Sequence, residues 1–115
     1  MRITRTDAAP PYQPPLHHDV QAVRLQGHEA GPTSRFWVGR SVYPPGGRAD
    51  EAPTAEETVY VVLDGELVLN AEGQTATLRA GDSVHLPKGT VRSVENGSGQ
   101  DATLLVVIAT PEPAS

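Results

Sequence analysis

The chain has 115 residues, 11 prolines, 11 glycines, no cysteine and a formal net charge of −5. That length fills one domain and leaves no room for a second core. Disulfides, thiolate metal sites and thiol nucleophiles are excluded, and scattered basic residues in an acidic chain argue against nucleic acid or an anionic membrane as partner.

The opening stretch MRITRTDAAPPYQPP lacks the apolar segment of a secretion signal. No later run approaches the ~20 apolar residues of a membrane helix. A cytoplasmic location is expected. Residues 1–16 are proline-rich and aperiodic, and read as an extended arm lying against a sheet edge or a second subunit. A domain follows over residues 17–110, and residues 111–115 read as a loose tail.

Within the domain, a short strand is expected from Val20 to Leu25 and a longer one from Arg35 to Tyr43, stopped by Pro44-Pro45-Gly46-Gly47. Thr58 to Leu63 is β-branched and aromatic. Asp64-Gly65 then reads as a hairpin turn into Glu66–Asn70. Ala71-Glu72-Gly73-Gln74 turns the chain into Thr75–Leu78. Gly81-Asp82 opens Ser83–Leu86, which Pro87 closes; Val91–Val94 and Ala102–Ala109 complete the set. Short strands at this spacing, with turn residues between them and no helical periodicity, predict an all-β sandwich or barrel.

Pro45-Gly46-Gly47, the run from Glu57 to Gly65 and the run from Gly81 to Asn96 resemble the two signature motifs of the cupin superfamily. The second motif reads Gly, five residues, Pro, one, Gly, two, His, three, Asn. Gly81, Pro87, Gly89 and Asn96 occupy their places, and Arg92 stands in the histidine slot. Counted back from Gly65, the acidic slot of the first motif falls on Thr58. Its histidine slots fall on Ala52 and Thr54, or on Glu51 and Pro53. The resemblance spans residues 35–110 and implies a single-domain jelly-roll barrel, a homodimer and a site in the barrel mouth.

A divalent metal needs three or four converging imidazoles or carboxylates. Arginine offers no lone pair, and alanine, proline and threonine offer little, so no metal is expected at the usual positions. Arg92 instead points inward in this register. It is a structural partner of Glu57, Asp50 or Glu51, a clamp for the carboxylate or phosphate of a small ligand, or a side chain that swings out to solvent. Thr58 and Tyr60 share the inner face of their strand, and Glu57 falls on the other face unless the strand bulges. Trp37 is a core residue or a wall of the ligand site. His85 is a hydrogen-bonded structural residue or, with Tyr60, an acid–base pair.

Three functions remain open. One is a metal-independent enzyme that isomerises, eliminates from or cyclises a small acidic metabolite, using Arg92, His85 and Tyr60, with Thr58, Glu57 and Trp37 about the ligand. Another is a non-catalytic ligand-binding or accessory module. The last is a metalloprotein whose divalent transition metal sits at a relocated site built from His17, His18, His85 and Glu57.

Overall fold

A computed structural model describes residues 1–111. Its strands form two antiparallel sheets facing one another as a jelly roll. One sheet has the order β1-β3-β4-β11-β6-β9: β1 (Pro11–Tyr12), β3 (Gln21–Gln26), β4 (Phe36–Tyr43), β11 (Ala102–Ala109), β6 (Thr58–Asp64) and β9 (Ser83–Leu86). The other has the order β2-β5-β10-β7-β8: β2 (His17–His18), β5 (Arg48–Pro53), β10 (Val91–Glu95), β7 (Glu66–Ala71) and β8 (Gln74–Arg79). Among the described residues no helix is long and apolar enough to cross a membrane.

Alternation decides what the sheets enclose. On β6, Thr58, Tyr60 and Val62 are buried while Val59 and Val61 are only partly so. Val62, Leu67, Leu69, Leu86, Val94 and Leu104 meet between the sheets as the core. Asn96, the framework asparagine, is fully buried. Its amide donates to the carbonyls of Tyr43 (2.8 Å) and Gln100 (2.7 Å), and its Oδ1 accepts from the Ser98 amide (2.9 Å) and hydroxyl (2.7 Å). It therefore ties the β10 exit to the end of β4 with every polar atom satisfied.

The structure departs from the sequence-based expectations at two points, a turn and a strand. Asp64-Gly65 is not a hairpin: β6 and β7 lie in different sheets, and the turn carries the chain around the corner. Gly65 has φ +75, and a Cβ there would stand 2.6 Å from the Asp101 carbonyl oxygen, so only glycine turns this corner without strain. The real hairpin is β7–β8, where Glu72 (φ 53) and Gly73 (φ 74) both take left-handed conformations, the backbone of a type I′ turn.

Second, β5 has no apolar run to announce it. Its alanines face inward and its charged residues outward, and its ladder to β10 makes it a strand. That ladder slips between the pairs Arg92–Ala52 and Val94–Ala49, so Asp50 and Glu51 together face Ser93. The bulge lets Ala49 and Ala52 both face inward.

The arm of residues 1–16 lies against a sheet edge, one of the two alternatives left open by the sequence. Pro11 and Tyr12 pair with Val23 and Ala22, the Asp50 amide donates to the Leu16 carbonyl, and Pro14, Pro15 and Leu16 border the interior of their own barrel. Of the expected tail, residues 112–115 lie outside the described residues.

Candidate functional site

The interior opens into a cavity of about 260 Å³ at the arm-covered end. The positions that the resemblance assigns to metal ligands in the shorter register, Ala52, Thr54, Thr58 and Arg92, all border it, and so does Pro53. Their side chains do not suit a metal. Thr54 Oγ1 donates to the Pro87 carbonyl (2.7 Å) and accepts from the Thr90 amide (3.1 Å). Thr58 Oγ1 donates to the Glu56 carbonyl (2.9 Å). Both hydroxyls are thus committed to shaping loops, and the remaining two positions offer a methyl group and a cation.

Arg92 reaches inward from β10. Its Nε donates to the Tyr60 hydroxyl (3.0 Å) and its Nη1 to the Asp50 carbonyl (3.0 Å), which the β5 bulge presents. Asp50 turns its carboxylate elsewhere, accepting from His18 Nε2 (2.7 Å) and Arg48 Nε (3.1 Å). Hydrogen bonds from His18 and Arg48 hold the Asp50 carboxyl below its ordinary value, against a smaller opposing desolvation.

The arm supplies His17. Its Nδ1 donates to the Pro15 carbonyl (2.8 Å), which leaves Nε2 as the lone-pair nitrogen beside the cavity. Burial lowers its pKa and the Arg92 charge lowers it further, while the Pro15 bond opposes them, so the ring is held toward its neutral form. Tyr43, whose ring centroid lies 6.4 Å from that of His17, has its hydroxyl pushed far up by burial. Tyr12 is also raised by burial, with the Arg24 charge and a hydrogen bond with Ser41 opposing.

Trp37, half-buried, forms a wall together with Tyr12, the two rings meeting edge to face at 5.7 Å. The Arg24 guanidinium carbon lies 3.7 Å from the Tyr12 ring centroid and 4.2 Å from that of Trp37. Gly39 makes this cluster possible: a Cβ there would stand 2.9 Å from the Trp37 ring and 3.3 Å from the Tyr12 hydroxyl.

The structure therefore brings together Arg92, Thr58, Tyr60, Trp37 and His17, and places the other expected residues elsewhere. His85 and Glu57 are on the outer face, both more than half exposed, with His85 Nε2 donating to Glu57 Oε2 (2.6 Å). The ladder explains it: His85 pairs with Val59 on the outer face of β6, and Glu57, one residue before that strand, has the same parity as Val59. His85 is accordingly no partner for Tyr60. His17, His18, His85 and Glu57 do not converge, and no three histidines or carboxylates cluster among the described residues. A broader depression of about 520 Å³, bordered by His85, Val84 and Leu69, runs between β8 and β9; none of the metal-slot positions lies on it.

Sequence reasoning passed over Tyr12, Arg24, Ser41 and Tyr43. Ser41 and Tyr43 share the inward parity of Trp37 on β4, a signal that was present. Tyr12 is a lone aromatic in a proline arm, and nothing local places it inside.

A family model for the cupin domain matches residues 39–108. The chain is a cupin. A Mycobacterium tuberculosis protein named beta-D-galactosidase Rv1717 is 58% identical to this cupin over 111 residues, 96% of each chain. The polyketide cyclase RemF of Streptomyces resistomycificus superposes with a TM-score of 0.84 at 20% identity, covering 99% of this chain and 82% of that one. A predicted oxalate decarboxylase of Thermotoga maritima gives 0.80 at 25% identity, covering 96% and 100%. The likeness to the cyclase concerns the fold alone.

Proposed function

We propose that this cupin hydrolyses β-D-galactosides, with the barrel cavity as the sugar site. The observation that carries the reading is the 58% identity, over 96% of both chains, to a protein named for that activity. The composition of the cavity supports it. Hydroxyls of Tyr43, Tyr60 and Ser41, the Arg92 guanidinium and the His17 imidazole provide hydrogen bonds for sugar hydroxyls, and Leu104, Val106 and Ile108 form an apolar wall for the C–H face. At about 260 Å³ the space lies just below the ~300 Å³ at which ordinary ligand sites begin, which suits one sugar residue rather than a chain.

Most glycosidases work with two carboxylates flanking the scissile bond. No aspartate or glutamate borders this cavity, so the proton transfers fall to other groups. His17 Nε2 takes a proton from water as the water oxygen bonds to the anomeric carbon. The Tyr60 hydroxyl accepts from Arg92 and keeps its own proton free for donation. It gives that proton to the departing glycosidic oxygen as the old C–O bond breaks, and passage of the proton from His17 back to the Tyr60 oxygen resets the site.

The missing carboxylates favour a second reading, in which the cavity binds a sugar without cleaving it. Release of nitrophenol from 4-nitrophenyl β-D-galactopyranoside, with the α-anomer as control, decides between them. Hydrolysis of the β-anomer is expected, with His17→Gln and Tyr60→Phe each lowering kcat on the order of 10²-fold. Binding of galactose by calorimetry without any turnover selects the second reading.

A further inference from the structure

We infer that the galactoside taken by this cavity carries an anionic group, a carboxylate or a phosphate, gripped by Arg92; the inference rests on the sugar reading above. Three positively chargeable side chains border the cavity, Arg24, Arg92 and His17, and no aspartate or glutamate does. Arg24 has a counter-charge: Glu29 Oε1 lies 3.4 Å from its Nε, although that buried Nε makes no hydrogen bond, and two aromatic faces flank the guanidinium. Arg92 has none. Among the described residues no carboxylate stands within 4 Å of it.

The nearest candidate is turned away by construction. Asp50 gives Arg92 only its carbonyl, while its carboxylate is engaged with His18 and Arg48. Of the five guanidinium N–H groups, one goes to Tyr60 and one to Asp50, which leaves three for a ligand. The surroundings deepen the imbalance, because Tyr43 and Tyr12 have hydroxyls that burial keeps protonated. A half-buried guanidinium held in position by neutral acceptors, among hydrogen-bond donors and without a counter-charge, is complementary to a planar or tetrahedral oxyanion. A neutral sugar would leave that charge uncompensated.

The test compares kcat/KM for 4-nitrophenyl β-D-galactopyranoside, its 6-carboxylate (the β-D-galacturonide) and its 6-phosphate. It also measures calorimetric binding of D-galacturonic acid and galactose 6-phosphate. An anionic substrate is expected to exceed the neutral one by about 10- to 150-fold, the range that a charge-assisted hydrogen bond of ~1.5–3 kcal/mol supplies. In Arg92→Gln that preference collapses toward unity. Arg92→Lys, which keeps the charge without the fork, recovers part of it; its recovery shows that the loss in Arg92→Gln is not misfolding. Which anion is preferred identifies the source of the charge.

A neutral galactoside cleaved as well as both anionic ones overturns the inference and leaves the galactosidase reading intact. No hydrolysis of any substrate, with galacturonic acid bound by the wild type but not by Arg92→Gln, overturns the galactosidase reading and keeps the anion site. Neither binding nor turnover overturns both.

Discussion

Converting this barrel into a metal protein tests the placement of its site. Ala52→His, Thr54→His and Arg92→His together put imidazoles at three positions that border one cavity, the donor number of an open catalytic zinc site. The apo variant loses the two hydrogen bonds of Thr54 Oγ1, a cost of about 2 kcal/mol. Arg92→His removes two further bonds but also an unpaired charge, effects of opposite sign. Unfolding entropy of roughly 2.1 cal/mol/K per residue over 115 residues makes the Thr54 loss worth roughly 8 °C of Tm. Nickel or zinc at about 100 times its Kd returns about 2.7 kcal/mol, or roughly 11 °C. The assay is a thermal melt of untagged protein with and without metal, the wild type alongside. A variant that melts cooperatively yet shows no metal-dependent shift refutes the convergence of these positions.

Asn96→Ala should cost about 3 kcal/mol in a urea melt, since four hydrogen bonds to a fully buried amide are lost; a loss under ~1 kcal/mol refutes its structural role. His17 titrates lower in the fold than in the unfolded chain, so below the unfolded value of about 6.5 the unfolded state binds more protons. Stability is therefore expected to fall as pH drops through that value, and the fall should end below the folded pKa. His17→Gln should flatten this part of the stability–pH curve, and an unchanged curve refutes the assignment. His85→Ala and Glu57→Gln remove an exposed pair, worth at most ~1 kcal/mol, and should leave turnover at the wild-type level; a large loss of turnover would move the site to the outer face.

Much of the barrel was legible because its signals are local. The runs that became β4, β6, β7, β9 and β11 carry β-branched residues between turn residues, and Glu72-Gly73 dictates its own left-handed turn. β5 was illegible because its strand character comes from the ladder to β10 and not from its own alanines and charges. Asp64-Gly65 was misread because a turn signal specifies a reversal but not which sheet receives the next strand.

Sequence alone determined the jelly-roll frame and the residue identities at the family's ligand positions, a cation among them, since residue identity and spacing carry both. Only the tertiary structure decided that His17 from the arm, and not His85, borders the same cavity as Tyr60 and Arg92. It also decided that Asp50 withholds its carboxylate from that cation. Both outcomes depend on strand parity, a bulge and the path of a proline arm, all of them set by contacts between segments distant in the chain.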